Sequence, residues 1–181
     1  ETKEAFIIDP GADGKRIIKR VADLGLKVKY IINTHGHIDH VGSNSEVKEA
    51  FAVPILIHEN DAHMLQSPQA SFAFFMGKNK FEPADQTLKE GDILIAGNLK
   101  ARVMETPGHT AGGISLDING ALFTGDTLFA GSIGRTDLPG GSYRQIIKSI
   151  KSRILPYPDE VKVFPGHGPP TTVGMERKYN P

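Results

Sequence analysis

Five of the seven histidines stand in three short motifs, Thr34-His35-Gly36-His37-Ile38-Asp39-His40, Pro107-Gly108-His109-Thr110 and Pro165-Gly166-His167-Gly168, with Asp126 of Thr124-Gly125-Asp126 between the last two. Imidazole nitrogen and carboxylate oxygen are the donors that zinc, iron and manganese take at neutral pH, and one carboxylate can bridge two ions ~3.5 to 4 Å apart. A lone histidine is more readily explained as hydrogen-bonded scaffolding. Here His35, His37, Asp39 and His40 lie within six residues, and each cluster follows an apolar run and is flanked by Gly, Thr or Pro. That strand-then-loop context points to a two-metal site. His58 and His63 fall outside the motifs and read as a strand-end hydrogen-bonder and a helix-surface residue.

The elements that must carry these residues follow from the hydrophobic pattern. Ala5 to Asp9 is a short apolar run closed by Pro10-Gly11, which suits a buried strand ending in a turn. Asp13 to Leu24 has apolar residues at helical spacing, with Asp13 as the expected N-cap and Gly25 as the stop. Strand Val28 to Ile32 then delivers the chain into the first ligand cluster. A helix over Ser43 to Phe51, strand Pro54 to His58 and a short helix near Asn60 follow. Ser67 to Glu90 is mixed, and its Phe72, Phe74, Phe75, Met76 and Phe81 suggest a lid or local packing. Four strands are expected at Asp92 to Ala96, Lys100 to Glu105, Gly113 to Ile118 and Ala121 to Thr124, with Asn119-Gly120 as a hairpin turn. Helix Tyr143 to Ile154, strand Val161 to Phe164 and helix Val173 to Lys178 close the chain.

The 181 residues suffice for one sizeable core, so a single domain over 1–181 is expected. Lys plus Arg and Asp plus Glu balance at 21 each, which gives no net field for nucleic acid or an anionic membrane. Cysteine is absent, excluding disulfides and thiolate ligation. No apolar run approaches the ~20 residues that cross a bilayer, and Glu1-Thr2-Lys3-Glu4 lacks the pattern of a signal peptide. The expectation is a cytoplasmic protein with no nucleic-acid or membrane partner.

The set of Asp9 in Ile8-Asp9-Pro10-Gly11, His35-x-His37-x-Asp39-His40, His109, Asp126 and His167 resembles the five-motif signature of the metallo-β-lactamase fold superfamily over nearly the whole chain. The resemblance implies an α/β fold, a four-layer αβ/βα sandwich with metals at one edge of two sheets, and a further strand ahead of Ala5. It implies that His35, His37 and His109 hold one ion, that Asp39, His40 and His167 hold the other, and that Asp126 bridges them. Asp9 would order the loops without touching metal. The segment Thr124 to Phe129 followed by Gly131-Ser132-Ile133-Gly134-Arg135-Thr136-Asp137 is similar to the glyoxalase II branch and its persulfide dioxygenase relatives. The end of the chain, through Thr171-Thr172, Glu176-Arg177 and Asn180-Pro181, is similar to the small single-domain glyoxalase II-like hydrolases. Asp39 stands where many lactamases carry cysteine, which argues against antibiotic hydrolysis.

A hydroxide held between two cations at neutral pH would be the nucleophile toward a thioester carbonyl, with Asp39 accepting a hydrogen bond from it. A thiol leaving group has a pKa of about 8.5 and departs with little protonation. Two divalent ions are expected, zinc first, with iron or manganese as alternatives. The expected partner is a small glutathione-derived thioester, S-lactoylglutathione or a related hydroxyacylglutathione. Arg135 would hold a substrate carboxylate, unless it pairs with Asp137. The rival readings are a mononuclear iron persulfide dioxygenase using His35, His109 and Asp126, and a metal-stabilised binding module without turnover.

Overall fold

In a computed structural model, residues 2–73 and 82–181 are described; Phe74, Phe75, Met76 and Phe81 of the aromatic stretch lie outside them. They fall into two units, Glu1–Leu88 with Ile95–Leu99, and Lys89–Leu94 with Lys100–Pro181.

The first unit holds four parallel strands in the order β1 (Glu4–Ile8), β2 (Lys27–Ile32), β3 (Ile55–His58) and β4 (Gln86–Leu88). Parallel neighbours need crossover connections. These are α1 (Gly14–Leu24) between β1 and β2, and α2 (Ile38–Val41) with α3 (Asn44–Phe51) between β2 and β3. All four residues of β3 are buried, as expected for a parallel strand covered on both faces. Ile31, Ile55, Ile57 and Val47 are fully buried in this core, and each such aliphatic side chain contributes about 1.5 to 3 kcal/mol. Gly25 stops α1 in a left-handed cap, its N–H on the Ala22 and Val21 carbonyls. Asp13 stands at the expected N-cap position, its carbonyl accepting from the Ile17 N–H at 3.1 Å, but without a side-chain cap. Its backbone is left-handed, and the carboxylate lies 3.8 Å from Arg16 instead.

The second unit is built on strands ordered β12 (Thr171–Thr172), β11 (Lys162–Pro165), β8 (Ala121–Gly125), β7 (Ile114–Ile118), β6 (Leu99–Glu105) and β5 (Ile93–Ala96), with Lys100–Glu105 of β6 and Ile93–Leu94 of β5 lying within the unit. Asn119 and Gly120 have φ of 50° and 85°, as the expected β7–β8 hairpin turn requires. Between β8 and β11 lie a two-stranded hairpin, β9 (Leu128–Phe129) with β10 (Ser132–Ile133), and helix α4 (Tyr143–Ser149). The helix expected over 143–154 is α-helical only to Ser149 and continues as a π-helical stretch, Ile150–Ile154. Helix α5 (Val173–Tyr179) is capped by Thr172, whose hydroxyl accepts from the Met175 N–H at 3.3 Å. Leu122, Leu128, Ile146, Ile154, Val163 and Val173 fill the core.

The parallel pairs matter most for function. β1 and β2 run the same way, so Asp9 and Asn33 emerge side by side; β8 and β11 also run the same way, so the segments carrying Asp126 and His167 leave one sheet edge together. Carboxyl ends of parallel strands are where α/β proteins collect their functional loops.

Candidate metal centre

In the first unit, one carboxylate orders two imidazoles. Asp9 accepts from the Thr34 N–H at 2.7 Å, the Thr34 hydroxyl at 2.6 Å and His40 Nδ1 at 2.9 Å. An ionised carboxylate only accepts, so the His40 proton sits on Nδ1 and its Nε2 presents a lone pair. The Thr34 hydroxyl gives its proton to Asp9 and therefore accepts from His35 Nδ1 at 3.1 Å, which puts the His35 proton on Nδ1 and its lone pair on Nε2. Asp9, His35 and His40 gather donor atoms within 4.8 Å of one another. The oxygens of Asp9 are committed to Thr34 and to the Nδ1 side of His40, the place of an outer partner that fixes a ligand's tautomer.

His35, His37 and His40 are buried to 2%, 6% and 2% exposure. Ring centroids are 4.8 Å apart for His35 and His37 and 4.1 Å for His35 and His40. Asp39 sits at the first turn of α2 with its side chain 51% exposed and Oδ2 3.8 Å from His40 Nε2. The Pro10-Gly11 turn packs directly on this loop: a Cβ on Gly11 would meet the Asp39 carbonyl oxygen at 1.6 Å. Phe72, with φ of +62°, lays its ring 5.3 Å from that of His37.

Several supporting residues escaped the motif reading. Asn33 and Asn44, both buried, exchange amide hydrogen bonds at 2.8 and 3.3 Å, and Asn33 Nδ2 also donates to the His40 carbonyl at 3.4 Å. Buried Asp61 accepts from the Gly36 N–H, between His35 and His37, at 3.3 Å. Their partners lie 11 and 25 residues away, beyond any local pattern. His58 is buried at its strand end and accepts from the Asn60 N–H at 3.2 Å, as expected, and His63 lies exposed in a 3-10 helix, Ala62–Gln66.

In the second unit, Asp126 Oδ2 lies 3.5 Å from His109 Nε2 and 3.6 Å from His167 Nε2. These separations are long for hydrogen bonds but match the ~3.4 Å edge of a tetrahedron with bonds of ~2.1 Å. His109 Nδ1 donates to the Arg135 carbonyl at 2.8 Å, so again Nε2 keeps its lone pair. Gly134 makes this approach possible, because a Cβ there would meet the Asp126 carbonyl oxygen at 1.8 Å and His109 Nδ1 at 3.3 Å. Behind the site, the buried Thr106 hydroxyl bonds those of Ser115 and Thr127 at 3.0 Å each, tying together the strand ends that lead to His109 and Asp126.

The Arg135 guanidinium is exposed and grips Asp137 through two bonds of 2.8 and 2.7 Å. That pairing holds the Asp137 carboxyl down to about 2. The loop arginine is thus paired with its neighbour, and its main-chain carbonyl, which no side-chain pattern reveals, serves His109.

Residues 1–167 match the metallo-beta-lactamase superfamily. The chain belongs to that family. Its fold is the mixed α/β metallo-β-lactamase fold that the motifs led us to expect. It is 39% identical over 186 residues to the hydroxyacylglutathione hydrolase GloC of Haemophilus influenzae, covering 100% of this chain and 88% of that protein. Among solved structures it is similar to BLEG-1 B3 metallo-beta-lactamase, with a TM-score of 0.93 and 37% identity over 100% of this chain and 89% of that one. It is also similar to TTHA1623 in a di-iron-bound form, with a TM-score of 0.86 and 35% identity over 96% and 87%. Membership of the metallo-β-lactamase superfamily implies divalent metal binding. The side chains of each unit suit such ions: buried imidazoles with Nδ1 already engaged, His35 and His40 in the first and His109 in the second, each with a carboxylate near by, are N/O donors of the kind that zinc, iron or manganese take. No helix among the described residues is long and apolar enough to cross a membrane.

Proposed function

We propose that this protein is a binuclear metal-dependent hydrolase of thioesters, acting on S-lactoylglutathione or a related hydroxyacylglutathione, and that 1–181 is one catalytic domain. In this reading His35, His37 and His109 hold one ion, Asp39, His40 and His167 the other, and Asp126 contributes to both. The observation that carries the reading is the Asp126 carboxylate oxygen set between two imidazole Nε2 atoms at 3.5 and 3.6 Å. The tautomers fixed by Asp9 and by the Arg135 carbonyl support it, as does the name of the Haemophilus relative. Two divalent ions bound by this set would supply Lewis acidity toward water and toward a carbonyl oxygen.

The chain's own residues do the rest. Asp39 is half exposed with one oxygen toward His40, so its other oxygen can accept a hydrogen bond from the attacking water and aim it. Arg135 can exchange the exposed Asp137 carboxylate for a substrate carboxylate through the same two N–H groups. A thiolate with a conjugate-acid pKa of about 8.5 leaves without a dedicated proton donor, so the reading asks for no further acid. The absence of cysteine leaves the ion set to nitrogen and oxygen donors, with zinc expected first and iron or manganese as alternatives.

The test is turnover by purified, metal-reconstituted protein of three probes in parallel: S-lactoylglutathione, glutathione persulfide with an oxygen electrode, and a chromogenic β-lactam. Thioester hydrolysis with no oxygen uptake and slower β-lactam cleavage is expected. Oxygen uptake without thioester cleavage would replace the proposal with the persulfide dioxygenase, and preferred β-lactam cleavage would replace it with a lactamase.

A further inference from the structure

We infer that Glu176 and Asn180 form a positioning pair that holds the β9–β10 hairpin and, through the main chain that follows it, keeps the Arg135 carbonyl on His109 Nδ1. The inference rests on the reading of His109 as a metal ligand.

Glu176 is only 5% exposed, yet among the described residues its carboxylate is bonded by neutral donors. Oε1 accepts from the Thr171 hydroxyl at 2.6 Å, and Oε2 accepts from the Gly131 N–H at 2.8 Å and from Asn180 Nδ2 at 2.7 Å. Asn180 Nδ2 also donates to the Ser132 carbonyl at 3.0 Å, with the Phe129 carbonyl at 3.4 Å. A buried carboxylate is costly unless its lone pairs are filled. Here three neutral donors fill them, and the Gly131 N–H lies 45 residues away in the hairpin turn.

The hairpin needs that hold. Its strands pair only Ser132 with Phe129 and Ile133 with Leu128, and a two-stranded ribbon so short does not keep its own register in water. Gly134 and Arg135 follow directly. Gly134 lies against both the Asp126 carbonyl and His109 Nδ1, and the Arg135 carbonyl takes the His109 Nδ1–H at 2.8 Å. A shift of the hairpin would therefore move the acceptor that fixes which His109 nitrogen carries the proton. The bonds of Glu176 and Asn180 go to Thr171, to the hairpin main chain and to each other, so they position rather than catalyse.

The full chain carrying Glu176→Ala, Glu176→Gln or Asn180→Ala tests this, with two measurements: zinc affinity by competition with a chromophoric chelator, and the His109 Nδ1–H resonance in histidine-labelled, metal-free protein. Glu176→Gln should behave as wild type, because its carbonyl oxygen can keep Gly131 and Asn180 while its amide donates to a rotated Thr171 hydroxyl. Glu176→Ala and Asn180→Ala should lower zinc affinity roughly tenfold, the lower end for disturbed partners of a metal ligand, and should broaden or abolish the Nδ1–H signal. An unchanged affinity and an unchanged signal in both alanine variants would overturn the inference. If Glu176→Ala does not fold, Asn180→Ala at the end of α5 decides alone. His109→Ala separates the two readings. If it leaves zinc binding intact, His109 is not a ligand and the metal-centre reading fails, whereas the His109 Nδ1–H signal in the Glu176 and Asn180 variants still reports on the positioning pair.

Discussion

Changing Asp9 to asparagine exchanges one acceptor oxygen for an NH2 group at nearly constant volume, and the bonds around it forecast the consequence. If the new carbonyl stays on the Thr34 N–H, the NH2 group faces the Thr34 hydroxyl and His40 Nδ1, which the carboxylate met with Oδ2 at 2.6 and 2.9 Å. The hydroxyl can rotate and accept. His40 can accept only by moving its proton from Nδ1 to Nε2, which removes the lone pair offered to metal. The rotated Thr34 hydroxyl then points its proton at His35 Nδ1, 3.1 Å away, and favours the same exchange there. Binding an ion would require restoring the Nδ1–H forms against two NH2 or hydroxyl donors, a loss of about 1.5 to 3 kcal/mol for each charge-assisted bond. One such loss is roughly a tenfold to hundredfold drop in affinity. The assay is zinc titration of metal-free protein against a chromophoric chelator, with a thermal melt as control. The metal-free variant should melt within several degrees of wild type, since about 1 kcal/mol shifts a chain of this size by roughly 2 to 4 °C. Wild-type affinity for both ions in Asp9→Asn would refute the relay through Thr34 and His40.

Asp126→Ala should remove more metal and activity than any single histidine change, because Asp126 Oδ2 neighbours both His109 and His167; metal analysis beside single-histidine variants checks this. Asp39→Asn should keep the fold and much of the metal while lowering kcat roughly a hundredfold, as for a lost contact that aims a nucleophile; full activity would remove its proposed role. Arg135→Ala should raise KM for S-lactoylglutathione with little change in kcat or in bound metal, since the variant retains the main-chain carbonyl on His109. Equal damage to a simple thioester without glutathione carboxylates would instead assign the arginine to loop shape through Asp137. Burial, then its bond to Asp117, pushes the Tyr157 hydroxyl up to about 12. The neutral phenol therefore contributes stability below the unfolded value of about 10, and that contribution is lost as pH rises through 12. An absorbance titration of the four tyrosines should show one late step that Tyr157→Phe removes.

The strands that lead into the site were legible because each is an apolar run that ends with Gly, Pro or Thr beside a His or Asp. Ile8-Asp9-Pro10-Gly11 and Tyr30 to Thr34 are examples, and the β7–β8 turn at Asn119-Gly120 followed from its own residues. Strands of two or three residues, β4, β9, β10 and β12, carry too few alternations to register as a pattern. Asp13 takes the N-cap position its residue type suggests but makes no side-chain cap bond, because that bond goes with an extended backbone whereas its φ is 55°. In the site, the ligand-type side chains are legible because donor chemistry resides in residue type. Their support is not. The Thr34 relay exists only because parallel pairing sets Asp9 beside a residue 25 positions on, and the bond from His109 ends on a main-chain oxygen to which the arginine side chain is irrelevant. Glu176 entered the sequence reading only through the resemblance of the chain end, and its bond to the Gly131 N–H, 45 residues away, leaves no local pattern.

The most direct test of the central claim is a titration of metal-free protein with zinc while S-lactoylglutathione hydrolysis is followed. The account expects activity to rise to a plateau at two equivalents per chain, with Asp126→Ala giving neither the second equivalent nor the activity. Saturation at a single ion, above all a single iron with oxygen uptake on glutathione persulfide and no thioester cleavage, would contradict it.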